Sequence, residues 1–306
     1  MAIYTRLSPE DADRIAEAHG LGQAGEIVGV PAGSVNSNFL LETTARRVFV
    51  RIYEEQEVDG VELEWDLLDH LRDQGLPVPV RVEGPGPGVL RVAGKPTAVF
   101  EVVDGEEICQ RMVDPARARA VGALLARCHA ASRGFARRRG GRFTRADVRR
   151  RLEGVAALDR PELREAVEVL ERTLDALDRD WPDDLPTGVV HGDLFRDNVR
   201  WIGDEVRCVL DWESAADDAF VYDLAVTMLA WCFGDALEPE LMDAMRAGYE
   251  RERPLTTVEA AALPLALRAA ATRFTVTRIT DYHLREGAAQ VAKDWRRFYR
   301  RLLAVS

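Results

Sequence analysis

The sequence predicts an α+β protein with a small, strand-rich N-terminal lobe, residues 1–103, and a larger, mainly helical C-terminal lobe, residues 104–306. Short segments rich in β-branched and aromatic residues fill most of the first hundred positions. Beyond residue 115, apolar residues recur mostly at helical spacing. The chain has 306 residues, which is long for one small domain and suits two lobes that share a cleft.

The N-terminal lobe is predicted to contain six strands and one helix. The helix follows the third strand, because apolar residues recur at helical spacing from Val61 to Leu71, and it should end at Gly75 before Pro77. Strand-favouring segments separated by turn residues predict strands at 26–30, 37–43, 47–53, 78–82, 88–92 and 97–103.

The C-terminal lobe is predicted to begin with helices and to end with them. Amphipathic patterns predict helices at 115–131 and 160–179, and the chain is nearly all helical from Tyr222 onward. A compact strand-and-loop region, 188–211, lies between them. The arginine-rich stretch 133–151 is interpreted as a solvated loop leading into a helix, although a nucleic-acid contact is the alternative.

Composition and charge exclude several classes of function. The net charge of −11 argues against a nucleic-acid partner and suits a cationic or zwitterionic small molecule. The N-terminus lacks the apolar core of a signal peptide, and the most apolar run, 224–233, is too short to span a bilayer, so we expect a cytoplasmic protein without a membrane partner. The cysteines at 109, 128, 208 and 232 contain no Cys-x-x-Cys pair and are expected to be buried, reduced thiols.

The segment 189–213 carries the most informative polar residues. An apolar strand leads into His191-Gly-Asp-Leu-Phe-Arg-Asp-Asn198, and a strand, a turn at 203–205 and a second strand follow, ending at Asp211. A hairpin would return Asp211 close to Asn198 and Asp193. The sequence therefore predicts two carboxylates and one carboxamide at one end of a rigid pair of strands.

Phosphoryl transfer requires such a set, because the protein mainly orients a hydroxyl and neutralises charge on the transferred group. Asp193 can accept the hydroxyl proton, while Asn198 and Asp211 offer the hard oxygen ligands that Mg²⁺ prefers. The Asp-x-x-x-x-Asn spacing is that of kinase catalytic loops, with His-Gly-Asp in place of His-Arg-Asp. Each residue alone would also suit a turn. The joint pattern favours catalysis, and His191 is interpreted as a structural residue of the loop.

The N-terminal lobe offers candidates for binding ATP. The segment 29–38 between two strands could cover the phosphates with backbone N–H groups, and its candidate residues are Gly33, Ser34 and Asn36. An ordinary hairpin loop would show the same composition.

A pair of charged side chains and a backbone segment are further candidates for nucleotide binding. Arg51, on the third strand, could hold the α- and β-phosphates, and Glu64 on the following helix could hold Arg51 in place. The alternative is that both are ordinary surface residues. The backbone of Glu101 to Val103, where the lobes join, is the candidate hinge that would meet adenine.

The chain resembles the aminoglycoside phosphotransferase and choline kinase superfamily. Three motifs match in order and spacing: His191 to Asn198, Val209-Leu-Asp-Trp-Glu213 and Tyr222-Asp-Leu-Ala225. The resemblance implies a protein-kinase-like bilobal fold, with a small N-terminal antiparallel-sheet lobe and a larger helical lobe. It also implies ATP and Mg²⁺ as cofactors, Asp193 as the base, Asn198 and Asp211 as magnesium ligands, and Asp223 as a brace for the loop.

Within the superfamily, the chain looks most like the homoserine kinase branch of bacterial threonine biosynthesis. The features that match are 1–5, 36–41, 230–233, 253–256 with 262–264, and Arg273-Phe-x-x-Thr-Arg-x-x-Asp281. The chain departs from the branch at Val35, where an acidic residue is usual, at Arg51, where a Thr-like residue is usual, and in 212–216, which is closer to the wider superfamily.

The resemblance implies a substrate that carries both a carboxylate and an ammonium group. Candidate residues for these charges are Glu213, Arg273, Arg278 and Asp281. The alternative is that the last three form a row of ion pairs on a helix surface, since they lie on neighbouring turns. Competing functions are phosphorylation of another small alcohol, such as choline, a sugar or an aminoglycoside, and a nucleotide-binding pseudokinase scaffold.

Overall fold

The computed structural model describes residues 3–30, 35–84, 88–141, 143–284 and 293–306. The chain divides into two compact units. The first contains residues 1–106 and 207–213, and the second contains residues 107–206 and 214–306.

The first unit is built on a five-stranded antiparallel sheet with the order β1-β2-β3-β5-β4. Its register pairs Asn38 with Arg51 and Arg51 with Ala98. Alternate strand residues face an apolar core that includes Leu41, Val50 and Val99. The elements are α1 (Pro9–Ala18), β1 (Ala24–Val30), β2 (Ser37–Thr43), β3 (Val48–Ile52), α2 (Val58–Asp73), β4 (Leu90–Val92) and β5 (Lys95–Glu101).

Two predictions for this unit are wrong. The first hundred residues contain a second helix, α1. Residues typical of a helix start lie at its beginning, because Ser8 and Asp11 form a capping box and Pro9 occupies the first turn. The segment 78–82 is not a regular strand, since it forms a single bridge, Arg81 to Phe100. It still uses the edge of β5, because the Glu101 amide donates to the Val80 carbonyl at 2.8 Å.

The second unit is mainly helical, as predicted. The apolar helix α6 and the long helix α8 are buried along most of their length. A five-residue π-helix, Ile279–His283, continues α8. The helices are α3 (Pro115–Ser132), α4 (Arg145–Ala156), α5 (Arg164–Asp180), α6 (Phe220–Trp231), α7 (Pro239–Glu252), α8 (Thr257–Arg278) and α9 (Arg296–Ala304).

Within the region 188–211, the three strands follow the predicted order, but a further strand at 216–219 was not predicted. β6 (Thr187–Val190) pairs antiparallel with β9 (Ala216–Ala219). Between them, β7 (Val199–Ile202) and β8 (Glu205–Val209) are joined by a two-residue turn, in which Gly203 has a φ of 60°. This left-handed φ explains the glycine.

The arginine-rich stretch leads into α4, as predicted, and one of its residues joins two helices. Arg149 binds the carboxylates of Asp175 and Asp178 on α5 at 3.0 and 2.7 Å. The cysteines are free thiols, but the expectation of burial is wrong for Cys109, which is exposed. Among the helices of the described residues, none combines the length and apolar character needed to cross a membrane.

Candidate active site

The loop 191–198 leaves the C-terminal end of β6 and is held by one buried carboxylate. Asp223, near the start of α6, accepts hydrogen bonds from the backbone N–H groups of His191 (2.9 Å) and Gly192 (2.8 Å). Asp223 is fully buried, so these charge-assisted bonds are shielded from water. Asp223 thus fixes the backbone immediately before Asp193.

Local geometry then positions Asp193. Gly192 has a φ of 73°, which favours glycine at this turn. The Asp193 N–H donates to Nδ1 of His191 at 3.2 Å, and Nδ2 of Asn198 donates to the Asp193 carbonyl at 2.8 Å. The half-buried Asp193 side chain is therefore attached to a backbone that is fixed on both sides.

A chain of buried hydrogen bonds supports Asp223 from behind. Nε2 of His129 donates to Asp223 at 2.9 Å, and the Tyr249 hydroxyl donates to Nδ1 of His129 at 2.7 Å. Arg253 donates to the Tyr249 oxygen at 3.0 Å and to Glu259 at 2.8 Å. A neutral His129 with its proton on Nε2 satisfies both of its ring nitrogens. Sequence reasoning missed His129 and Tyr249, although Arg253 was noted as part of a branch feature.

Burial and hydrogen bonding set the charges in this series. Burial lowers the pKa of His129 below its ordinary value, which outweighs the opposing effect of Asp223. Burial acts to raise the pKa of Asp223, but the hydrogen bond from His129 and nearby donors outweigh it and lower that pKa. At neutral pH the pair is therefore a neutral imidazole and a carboxylate.

Acidification should destabilise the protein through His129. Because its folded-state pKa lies below the unfolded value of about 6.5, the unfolded chain binds this proton first. The stability that depends on neutral His129 is complete above about pH 6.5. As pH falls below this value, the free energy of unfolding decreases by up to about 1.4 kcal/mol per pH unit. Urea unfolding of the wild type and His129→Gln, at several pH values between about 7.5 and 5, measures this loss. Parallel stability curves for the two proteins would contradict it.

Arg273 also braces the loop. It is buried on α8 and its Nη1 donates to the Gly192 carbonyl at 2.6 Å. Its guanidinium lies over the rings of Phe274 (4.0 Å) and Phe143 (4.4 Å). This burial excludes the alternative of a surface ion-pair row for Arg273, and its observed partner is the loop backbone.

The other two predicted residues of this row lie in different surroundings. Arg278 is largely buried with its guanidinium over Phe298 at 4.4 Å, and burial lowers its pKa to about 10, against the opposing charge of Asp193. Asp281 accepts from Arg151 on α4 at 2.6 Å. Arg278 is therefore electrostatically coupled to Asp193, whereas Asp281 is engaged by a helix of the same unit.

In the first unit, the structure brings Arg51 and Glu64 together. Arg51 on β3 lies 3.7 Å from the buried carboxylate of Glu64 on α2 and 3.2 Å from Asp211. Burial acts to lower the pKa of Arg51, but Asp211 and the other nearby acids outweigh it and raise that pKa above its ordinary value. Arg51 is thus a permanently charged, largely buried cation beside two carboxylates.

Asp211 and Glu213 occupy the segment that ends this unit. Asp211 has a φ of 66°, a conformation that residues other than glycine rarely adopt and that is concentrated at functional sites. Glu213 is buried and accepts from Nδ2 of Asn36 at 2.5 Å, and its carbonyl accepts from Gln56 at 3.5 Å. The predicted residues Asn36 and Glu213 therefore contact each other, whereas Gly33 and Ser34 lie outside the described residues.

The two residues that bound the candidate hinge, Glu101 and Val103, differ in their surroundings. Glu101 is the last residue of β5, its side chain is exposed and binds Arg46 at 2.8 Å, and its amide is used by Val80. Val103 follows the strand and is half-buried.

Each unit contains one predicted Mg²⁺ ligand with an oxygen of the kind that Mg²⁺ prefers. In the second unit, Nδ2 of Asn198 is used by the loop, which leaves its Oδ1 oxygen as the group that can bind a cation. In the first unit, Asp211 provides a carboxylate. Across the described part of the chain, no group of three or more His, Cys, Asp and Glu side chains could hold a metal on its own. Few protein ligands, completed by phosphate oxygens and water, are typical of Mg²⁺ that is bound together with a nucleotide.

These features define a kinase-like phosphotransferase, with a braced Asp-x-x-x-x-Asn loop on one unit and a buried arginine–glutamate pair on the other. A profile of the phosphotransferase enzyme family (APH) matches residues 26–256, and the chain belongs to this family. It is therefore an ATP-dependent kinase that acts on a small molecule.

Known proteins resemble the chain over nearly its full length. The homoserine kinase of Nitrobacter winogradskyi is 35% identical over 308 residues, spanning 99% of this chain and 94% of that protein. The homoserine kinase of Methylocella silvestris is 37% identical, spanning 92% and 88%.

Two solved structures share the fold. An amicoumacin kinase in complex with AMP-PNP and Ca²⁺ has a TM-score of 0.73 at 17% identity, covering 94% of this chain and 91% of that one. A spectinomycin phosphotransferase in complex with ADP has a TM-score of 0.72 at 11% identity, covering 96% and 94%. The predicted α+β, kinase-like fold class is confirmed.

Proposed function

We propose that this protein is a homoserine kinase, which transfers the γ-phosphoryl group of MgATP to the side-chain hydroxyl of homoserine. The observation that carries the proposal is the similarity over nearly the whole chain to proteins named homoserine kinase. The product would enter threonine biosynthesis. A cytoplasmic location and the residue roles below are parts of the same proposal.

Asp193 is the proposed base. Its carboxylate accepts the proton of the substrate hydroxyl while the oxygen attacks the γ-phosphorus, and the bond to the leaving ADP oxygen breaks. The support is a set of hydrogen bonds at and just before this residue. Asn198 donates to the Asp193 carbonyl, Arg273 donates to the Gly192 carbonyl, and Asp223 accepts from the Gly192 amide. A backbone fixed in this way holds the side chain in one place. His191 and Asp223 have structural roles in this scheme.

The nucleotide-binding roles fall mostly on residues of the first unit. We assign Asn198 and Asp211 as ligands of Mg²⁺, which when bound neutralises charge on the phosphates. Arg51, oriented by Glu64, binds the α- and β-phosphates, and the charged guanidinium beside two acids supports this role. The segment with Gly33, Ser34 and Asn36 covers the phosphates, and Glu101 to Val103 contacts adenine.

A panel of acceptor substrates tests the function. We expect purified protein with MgATP to release ADP with homoserine at least about 100-fold faster, in kcat/KM, than with choline, ethanolamine, a sugar or an aminoglycoside. Serine and threonine should be intermediate, since they share the charged groups. Preferred turnover of another alcohol would contradict homoserine as the substrate and would still support a small-molecule kinase. ATP binding without turnover of any acceptor would favour the pseudokinase alternative.

A further inference from the structure

The second unit contains a cavity of about 220 Å³ that none of the proposed roles uses. It lies among α4, α5, α6, α8 and β9. Its volume is below the roughly 300–1,000 Å³ of pockets that hold drug-sized ligands, so it suits a small metabolite and not an aminoglycoside. Its polar lining comes from Arg145, Asp217, Asp218, Tyr222, Thr272 and Arg273.

The cavity presents both signs of charge. Arg145 lies at the start of α4, with its guanidinium 5.0 Å from the centre of the Trp181 ring. One of its nitrogens donates to the Leu177 carbonyl at 2.8 Å, and a guanidinium has further N–H donors that can bind a carboxylate.

The acidic lining consists of two carboxylates, Asp217, which is bound by neighbouring groups, and Asp218, which can accept further hydrogen bonds. Asp217 accepts from Arg138 at 2.6 Å and from the Arg139 amide at 3.0 Å. Asp218 uses Oδ1 to accept from the Ala219 amide at 2.7 Å. A carboxylate can accept several hydrogen bonds on its two oxygens, so Asp218 can also bind a cationic group.

A buried hydroxyl in this wall also has capacity for a ligand. Thr272 is fully buried on α8, and its Oγ1 has no hydrogen-bond partner among the described residues. Buried polar groups in folded proteins are nearly always satisfied, so an unpaired hydroxyl in a cavity wall points to a polar ligand.

Two residues that line the cavity are linked to the loop that carries Asp193. Arg273 lines the cavity and donates to the carbonyl of Gly192, the residue before Asp193, at 2.6 Å. Tyr222 also lines the cavity and is followed in the chain by Asp223, which holds the other side of the loop. A ligand in the cavity would therefore lie next to the elements that position the base.

We propose that this cavity is the subsite that recognises the charged end of the acceptor. Asp218 binds its ammonium group, Arg145 binds its carboxylate, and Thr272 supplies an additional hydrogen bond. The assignment rests on the proposed function, because it requires an acceptor that carries both charges. In this proposal the cavity residues recognise the substrate, in place of Glu213 and Asp281. Glu213 is already bound by Asn36, and Asp281 is already bound by Arg151.

The pKa of Asp218 adds a second expectation. Burial raises the pKa of Asp218 to about 6. The charge of Asp223 adds to this rise, and the charges of Arg273 and Arg145 oppose it. The carboxylate must be ionised to bind an ammonium group, so KM for homoserine should rise as pH falls below about 6. The KM for ATP should not follow this profile.

Steady-state kinetics of four variants test the subsite. We expect Asp218→Asn and Arg145→Gln to raise KM for homoserine about 10- to 100-fold, and Thr272→Val about 3- to 10-fold, with KM for ATP unchanged. The asparagine that replaces Asp218 keeps an acceptor for the Ala219 amide, and valine has nearly the shape of threonine, so both variants should fold. The matched control Asp184→Asn removes one exposed negative charge from the same unit and should leave both constants unchanged.

The outcomes separate this proposal from the proposed function. Turnover of homoserine with unchanged KM in the three subsite variants would overturn the subsite and leave the function intact. Turnover of serine or threonine only, with KM raised in the variants, would support the subsite and overturn homoserine. If the wild type phosphorylates no acceptor, calorimetry of homoserine binding decides: binding weakened by Asp218→Asn supports the subsite, and no binding overturns it.

Discussion

The Asp193→Asn variant should lower kcat by about 10²- to 10⁴-fold while leaving ATP binding unchanged. Asparagine has the shape of aspartate but cannot accept the proton of the attacking hydroxyl. Two hydrogen bonds hold the backbone of this residue, because its N–H donates to His191 and its carbonyl accepts from Asn198. Both of these backbone bonds remain in the variant, so the substitution removes the proposed base and keeps these contacts of the loop. Rapid-quench or steady-state ADP release, with calorimetry of ATP binding, measures both quantities.

Asp197→Asn is the matched control for this variant. Asp197 lies in the same loop, is exposed, and loses the same charge when it is replaced. Its kcat should stay within about twofold of the wild type, since exposed charges contribute little. Equal losses in the two variants would mean that the charge of the loop, and not proton acceptance by Asp193, supports turnover.

The Asp223→Asn variant should destabilise the fold by about 2–4 kcal/mol and also impair turnover. One carboxylate oxygen accepts from Gly192, and the other accepts from His191 and His129. An asparagine in either orientation would place its NH₂ group against at least one of these donors. The loop would then shift, and a displacement of about 1 Å can cost about 100-fold in rate.

Thr227→Val provides the comparison for Asp223→Asn. Thr227 is buried on the same helix and its hydroxyl donates to the Asp223 carbonyl at 2.9 Å. Losing this neutral hydrogen bond should cost about 1 kcal/mol and leave kcat unchanged. Urea unfolding measures both free energies, and an Asp223→Asn variant as stable as Thr227→Val would contradict the bracing role.

Local patterns in the sequence were sufficient for part of the structure. The division into a strand-rich part and a helical part, and most of the helices and strands, follow from periodicity and turn residues. The kinase-like fold was implied by the motifs that resemble a known family. The pairing of Arg51 with Glu64 was a hypothesis that depended on the kinase-like loop, and the structure shows the two side chains 3.7 Å apart. The differences also have local causes. The start of α1 is set by the capping residues Ser8 and Asp11, and the segment 78–82 pairs with β5 through isolated contacts without becoming a strand.

Long-range hydrogen bonds were not predictable from spacing. His129 and Tyr249 are 120 positions apart, and His129 and Asp223 are 94 apart, so no sequence period connects them. Arg273 was a candidate for substrate binding because it lies in a feature shared with the resembled family branch and could pair with a substrate carboxylate. The structure shows its hydrogen bond to a backbone carbonyl 81 positions away, which no local pattern indicates. The cavity around Asp218 likewise exists only where four helices and a strand meet.

The most direct test of the central claim is the identity of the phosphorylated product. Purified protein should be incubated with MgATP and homoserine, and the products followed by ³¹P nuclear magnetic resonance, with Asp193→Asn treated in parallel. We predict a phosphomonoester of homoserine that forms in equal amount to ADP and is absent with the variant. Formation of inorganic phosphate alone, or no change in the ATP signals, would contradict the assignment of this chain as a homoserine kinase.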